Sequence, residues 1–309
     1  MNAEKVAIIG VGVIGRSWAA AFIRAGFDVS IYDASASVRQ CALAQIEQLT
    51  DGIGIDPSFT RAHVRVFEDL GAAVEGASAV QESVVEDVKV RRALYEQLSS
   101  LVEADAIIGS SSSAIPGSAF LEGLPIAPQA MVVHPTNPPH LVPLTELCPT
   151  PWTTQDVVER WMQTCRRIGQ VPVLIRKEVP GFVLNRLQVA VVMEAMSLVE
   201  RNVIDPIDLD AVMKFGLALR WAFMGPFETG HLNADGGFAE YMTKYRSSFE
   251  NTFDDLDQTF RISDEIVERV DAALRQAIPQ TVRERQSWRD HILVEMRQRT
   301  LQKTPGVLK

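Results

Sequence analysis

Four residues in the middle of the chain have the types and spacing to oxidise an alcohol: Ser113, His134, Glu146 and Asn185. His134 follows Met131-Val132-Val133 and so falls at the C-terminal end of a strand, where open α/β sheets bind ligands. Pro135-Thr136-Asn137-Pro138-Pro139 cannot continue a strand interior and turns the chain away. Glu146 lies in or beside the next strand candidate, Pro143–Leu147, and could reach the imidazole. A carboxylate on one ring nitrogen fixes the tautomer and stabilises the imidazolium formed when the other nitrogen takes a proton. That second nitrogen would remove a hydroxyl proton while hydride leaves for an acceptor. Ser113, ending a serine run, and Asn185, near the start of a long helix, could hydrogen-bond the reacting oxygen. Each residue also has a plain structural reading: a strand-end histidine, a serine loop, a helix-surface or capping asparagine.

The acceptor is suggested by Gly10-Val11-Gly12-Val13-Ile14-Gly15, a G-x-G-x-x-G that follows a strand and opens a helix. A second strand ends at Asp33, 18 residues after Gly15, close to the spacing of a dinucleotide fingerprint. Gly10 allows the tight turn, Gly12 lets backbone approach a pyrophosphate on the helix N-terminus, and Gly15 lets helix pack on strand. Val13 and Ile14 complete the cofactor-facing turn. Asp33 would accept hydrogen bonds from the adenosine ribose and repel a 2′-phosphate, which selects NAD over NADP. FAD uses the same fingerprint, so the motif alone leaves flavin and nicotinamide both open.

The elements that must position these residues alternate through the first half of the chain. Lys5–Ile9, Asp28–Tyr32, His63–Phe67, Ala79–Val85, Ala106–Ser110, Met131–His134 and Pro143–Leu147 read as strands, and a further run is Val171–Ile175. Helical patterns lie between most of them, notably Val13–Ala25, Val88–Leu101 and Thr154–Ile168. This predicts an α/β, Rossmann-type, mainly parallel sheet covered on both faces. After about Glu178 no strand is evident, and an all-helical domain is expected. We place the domains at 1–178, binding NAD, and 179–309, for substrate and dimerisation. The helix opening at Pro180-Gly181 carries only Arg186 and Glu194 as charges between Phe182 and Val199. An all-round apolar helix is buried in a domain or in a subunit interface. Asp205-Pro206 reads as a further helix start.

Composition bounds the partners. The 309 residues carry 30 Lys and Arg against 39 Asp and Glu, a net charge of −9, which lacks the basic balance of a nucleic-acid binder. The 47% hydrophobic fraction excludes disorder over most of the chain. The longest apolar stretch, Leu187–Val199, is interrupted by Glu194 and too short for a membrane span. No signal peptide is evident. Cys41, Cys148 and Cys165 form no close pairs, so neither a disulfide framework nor a cysteine zinc site is expected, and a cytoplasmic setting follows. Glu228, His231 and Asp235 fit a helix start better than a metal site. His140 reads as a turn or rim residue.

His134-Pro135-Thr136-Asn137-Pro138-Pro139, Pro143-Leu144-Thr145-Glu146, Lys177-Glu178-Val179-Pro180-Gly181-Phe182-Val183-Leu184-Asn185-Arg186 and Gly225-Pro226-Phe227-Glu228-Thr229 resemble the 3-hydroxyacyl-CoA dehydrogenase superfamily. Within it they look most like the lambda-crystallin, L-gulonate-oxidising branch. The resemblance runs from about Val6 past Asp290. It implies that His134 is a general base with Glu146 as its partner. It also implies that Ser113 and Asn185 bind the reacting oxygen, and that Glu86 and Arg91 lie near the nicotinamide half of NAD. The family's threonine before the serine is Ser112 here, and a slip of one within Ser110–Ser113 makes Ser112 the alternative. A homodimer is also implied.

The chain has no lysine between residues 34 and 88, where the acyl-CoA branch carries a lysine-containing arm. A small free hydroxy acid is therefore expected. Arg220, in Gly216-Leu217-Ala218-Leu219-Arg220-Trp221, is the candidate fork for its carboxylate, with a surface salt bridge as the alternative. The competing expectations are a 3-hydroxybutyryl-CoA dehydrogenase, a carnitine 3-dehydrogenase and a non-catalytic, crystallin-like NAD-binding protein.

Overall fold

The computed structural model describes residues 4–303. One compact unit runs to Asn185 and includes Leu293–Arg297, and a second spans Arg186–Ile292.

The first unit is built on eight strands: β1 (Lys5–Ile9), β2 (Asp28–Tyr32), β3 (Val64–Phe67), β4 (Ala79–Glu82), β5 (Ile107–Ser110), β6 (Ala130–Pro135), β7 (Leu144–Pro149) and β8 (Val171–Leu174). Their order is β3-β2-β1-β4-β5-β6-β7-β8. All neighbours pair in parallel except β6 and β7, which are antiparallel. The helices are α1 (Val13–Arg24), α2 (Ala36–Asp51), α3 (Pro57–His63), α4 (Leu70–Val74), α5 (Val88–Leu98), α6 (Ser118–Leu121) and α7 (Gln155–Arg167). The expected strands and the run Val171–Ile175 all form strands; β1 and β2 keep the expected bounds, and the others are trimmed or extended by one to three residues at an end.

Period-two alternation sends side chains to both faces of the sheet. Along β1, Val6 and Ile8 join a core with Trp18, Phe22 and Trp161. Ala7 and Ile9 join a second core with Tyr95, Ile108 and Phe120. A strand buried on both sides reads as a continuous apolar run, which is how Lys5–Ile9 reads. Helix α1 stops because Gly26 takes φ +81°. Gly26 N–H then bonds the Ile23 carbonyl, and Phe27 N–H bonds that of Phe22. The Phe22 and Phe27 rings close this cap edge to face at 5.3 Å. The same turn delivers the chain into β2, and so places Asp33 beside the glycine loop.

The second unit is helical: most of α8 (Leu184–Glu200), then α9 (Pro206–Val212), a π-helical stretch Met213–Ala218, α10 (Leu219–Trp221), α11 (Pro226–His231), α12 (Gly237–Asp255), α13 (Asp264–Ala277) and the part of α14 (Val282–Lys303) outside Leu293–Arg297. Among the described residues no strand follows β8. Val199, Phe260 and Ile266 form its small core, with Met193 and Met196 packed against them. Helix α8 is not buried within the single chain, since Leu187, Val189 and Val192 are 63%, 55% and 43% exposed. Of the two settings expected for this apolar helix, burial within the domain is therefore not what the chain alone provides. No helix among the described residues is long and apolar enough to cross a membrane.

Candidate active site

Strand register builds the central pair. His134 and Glu146 are direct partners across β6 and β7. His134 Nδ1 stands 2.8 Å from Glu146 Oε2. An ionised carboxylate only accepts, so Nδ1 carries a proton, and in the neutral imidazole Nε2 then holds the lone pair. The other carboxylate oxygen is also held: Val183 N–H donates to Oε1 at 3.0 Å and Leu184 N–H at 2.9 Å. These are the opening amides of α8, whose unpaired donors favour negative charge. Burial pushes the Glu146 carboxyl up, but the bonds from His134, Leu184 and Val183 outweigh it and hold the group below its ordinary value. His134 and Glu146 are 6% and 2% exposed, so the pair is largely screened from water.

The Pro180-Gly181-Phe182 turn brings those amides into place. Phe182 adopts φ +50°, a left-handed conformation costly for an aromatic residue. Its ring is fully buried and packs against the His134 imidazole at 5.4 Å. Sequence reading missed Phe182 as a site residue. The glycine before it was a visible turn signal, but a phenylalanine in left-handed backbone is not a pattern that composition reveals.

Ser113 lies on the exposed turn after β5, and among the described residues its hydroxyl makes no hydrogen bond. Ser112 is different. It is fully buried, and its single O–H lies 2.8 Å from two acceptors, Glu86 Oε1 and the Ile115 carbonyl. Of the two serines, Ser113 is the one with an uncommitted hydroxyl. The Asn185 amide donates to the Ser113 carbonyl at 2.6 Å, so these two residues meet.

Glu86 Oε1 also accepts the backbone N–H groups of Ser113, Ala114 and Ile115, at 3.1, 3.1 and 3.3 Å. Its Oε2 takes Arg91 Nη2 at 2.8 Å. Burial raises the Glu86 carboxyl, but hydrogen bonds from Arg91 and Ser112 overcome that and draw it down to about 2. Arg91, at the first turn of α5, is 1% exposed and also pairs with buried Glu82 at 3.2 Å. Asp87 caps that turn by accepting from Lys89 and Val90 N–H, which fixes where Arg91 enters the core.

The glycine loop fits a dinucleotide. Gly10 takes φ +84°, and a Cβ there would lie 2.6 Å from the Ser83 carbonyl oxygen. A Cβ on Gly15 would lie 1.9 Å from the Gly10 carbonyl oxygen. A Cβ on Gly12 would meet no protein atom within 4 Å. Gly10 and Gly15 are thus required by the fold, whereas Gly12 faces open space at the N-terminus of α1. No side chain caps that terminus, which leaves its amides for an anion. Val13 lies 60% exposed at the same edge, and Ile14 packs against the core. Asp33 accepts Val11 N–H at 2.8 Å and Ser35 N–H at 2.9 Å, so it braces the loop as well as ending β2.

His140 is a turn residue, as expected, but not a rim one. It is 4% exposed, with Nδ1 2.6 Å from Ser17 Oγ on α1. Arg220 lies exposed on α10, directly after the π-helical stretch of the second unit. π-Helical turns recur at functional sites. Among the described residues no three His, Cys, Asp or Glu side chains gather as a metal site.

Comparison with known proteins places this architecture. The model of the 3-hydroxyacyl-CoA dehydrogenase NAD-binding domain matches residues 5–179, and that of the 3-hydroxyacyl-CoA dehydrogenase C-terminal domain matches 181–267. The chain belongs to the 3-hydroxyacyl-CoA dehydrogenase family. It is 36% identical over 304 residues to the lambda-crystallin homolog of Homo sapiens, covering 94% of each chain. It is 32% identical over 295 residues to the L-carnitine dehydrogenase/betainyl-CoA thioesterase of Ruegeria pomeroyi, covering 94% of this chain and 61% of that one. The solved structure of 5-formyl-3-hydroxy-2-methylpyridine 4-carboxylic acid 5-dehydrogenase, an NAD+-dependent dismutase, matches with a TM-score of 0.83 at 30% identity. That match covers 98% of this chain and 100% of that one. Residues 5–179 match the family's NAD-binding domain, and the 5-dehydrogenase neighbour is described as NAD+-dependent.

Proposed function

We propose that this family member is an NAD-dependent dehydrogenase that oxidises a small 3-hydroxy acid, L-gulonate or a close analogue, to the 3-oxo acid. The observation that carries the reading is the buried His134–Glu146 pair, with Nδ1 committed to the carboxylate and Nε2 left to act. Nε2 takes the proton of the substrate hydroxyl, and Glu146 stabilises the resulting imidazolium. Ser113 Oγ, which makes no hydrogen bond among the described residues, donates to the reacting oxygen, and Asn185 completes that oxygen's surroundings. Bound NAD supplies the hydride acceptor. Gly12 and the first amides of α1 would hold its pyrophosphate, on a turn shaped by Gly10 and Gly15 and completed by Val13 and Ile14, and Asp33 would hold its adenosine ribose. Glu86 and Arg91 border the nicotinamide end, Arg91 acting through Glu86.

Two features support a free acid over a CoA thioester. No lysine lies between residues 34 and 88 to pair with CoA phosphates. Arg220, on an element shaped by a π-helical stretch, is an exposed guanidinium suited to a carboxylate. Retention of the serine, histidine, glutamate and asparagine together supports an enzyme over a purely structural protein. The exposed apolar face of α8 supports a homodimer, for which light scattering should give twice the 34.1 kDa chain mass. The direct test of substrate is NADH formation with L-gulonate, L-carnitine and 3-hydroxybutyryl-CoA in parallel. The reading expects L-gulonate with NAD to lead, and turnover of the thioester alone would replace the substrate while keeping the cofactor.

A further inference from the structure

The carboxylate of Glu86 is more heavily engaged than a cofactor contact requires. One oxygen collects four donors from a single turn: Ser112 Oγ and the backbone N–H groups of Ser113, Ala114 and Ile115. The other oxygen is tied to Arg91. Arg91 is itself anchored on Glu82, which is fully buried and accepts Ser110 Oγ at 2.6 Å and Val84 N–H at 2.7 Å. The chain of contacts therefore starts in the core, at the ends of β4 and β5, and ends on the turn that carries Ser113. On its other side Ser113 is held by Asn185, through its carbonyl. Both peptide groups flanking the Ser113 Cα are thus bonded to side chains, while its hydroxyl is not.

We propose that Glu86 is a positioning residue: anchored by Arg91 and Glu82, it clamps the 112–115 turn and so sets the Ser113 hydroxyl against the reacting oxygen. The proposal rests on the reading of Ser113 as an oxygen-binding residue. Its consequence is that Glu86 acts on the chemical step through Ser113 rather than on cofactor affinity. A turn exposed to water has many competing conformations, and successive donors converging on one anchored anion select one of them. Misplacing a reacting-group donor by about 1 Å costs on the order of 100-fold in rate.

The test combines amide hydrogen exchange with kinetics for Glu86→Ala and Glu86→Gln, alone and in a Ser113→Ala background. The substrate is L-gulonate, or whichever of L-carnitine and 3-hydroxybutyryl-CoA turns over. In Glu86→Ala the amides of Ser113, Ala114 and Ile115 should exchange about 10-fold faster or more, with β6 amides unchanged. kcat should fall about 10- to 100-fold, while NADH Kd moves less than about 3-fold. Glu86→Gln keeps one acceptor oxygen for the turn and should fall between wild type and Glu86→Ala. In the Ser113→Ala background, Glu86→Ala should cost less than about 3-fold more, because contacting residues are not additive. Unchanged exchange at the turn, a loss appearing mainly as weaker NADH binding, or a full multiplicative loss on top of Ser113→Ala would each overturn the clamp. If Glu86→Ala does not fold, Glu86→Gln carries the same comparisons. If Ser113→Ala alone leaves kcat intact, the serine reading fails, and the exchange data still decide the clamp.

Discussion

His134 and Glu146 sit directly opposite one another in the β6–β7 pairing, the one antiparallel pairing among the described residues, with Nδ1 and Oε2 2.8 Å apart. The register places the two side chains on one face of the sheet. The N-terminal amides of α8 then fix the carboxylate from the far side.

Glu146→Gln preserves shape but replaces an acceptor and its charge. The amide can present a donor to Nδ1, which disfavours the tautomer with a free Nε2. kcat should fall by about 10²- to 10⁴-fold. NADH Kd, read by fluorescence titration, should stay within about 3-fold. A kcat within about 3-fold of wild type would remove Glu146 from the mechanism.

The two outer glycines and the middle one should separate stability from binding. Gly15→Ala places a methyl on the Gly10 carbonyl and should lower Tm by several degrees, as core overpacking of about 1–3 kcal/mol does. Gly12→Ala meets no protein atom, so its Tm should drop by no more than about 1 kcal/mol of capping cost allows. Its NADH affinity should nonetheless fall at least about 10-fold, because the methyl occupies the side from which pyrophosphate approaches. Thermal melts and NADH titrations of both variants check this.

Arg220→Ala should raise KM for acid substrates by about 10- to 100-fold, the worth of a charge-assisted pair. For a neutral analogue such as the corresponding amide, KM should change little. An equal rise for both would assign Arg220 to a surface ion pair instead.

Acid stability should depend on Glu86. Its folded carboxyl is drawn from an ordinary 4.5 to about 2, so it binds protons less readily than in the unfolded chain. Its stabilisation is therefore fully present above the unfolded value and lost as pH falls from about 4.5 through about 2. Wild-type Tm should drop more steeply across that window than Tm of Glu86→Gln. Parallel slopes would contradict the assignment.

Much of this was legible in the sequence, for physical reasons. Glycine spacing, strand alternation and the Asp33 position reflect local steric rules, and the β1–α1–β2 unit follows from them. His134 and Glu146 stood out because both fall in adjacent strand candidates. What the sequence left open depended on contacts distant in the chain. Ser112 and Ser113 are equivalent in composition, and only the Glu86 bond, 26 residues away, separates the buried hydroxyl from the uncommitted one. His140 reads as a turn or rim residue; it lies in a turn, and its contact with Ser17 across 123 positions draws it inside. The apolar face of α8 was visible, but not that the chain alone leaves it uncovered.

The most direct test of the central claim is NADH formation from L-gulonate and NAD by wild type and His134→Ala, with NADH affinity measured on both. The account predicts that His134→Ala loses about 10²- to 10⁴-fold in kcat and keeps its NADH Kd. Turnover within about 3-fold of wild type would contradict it, as would a wild-type protein that binds NADH but oxidises none of the three hydroxy substrates.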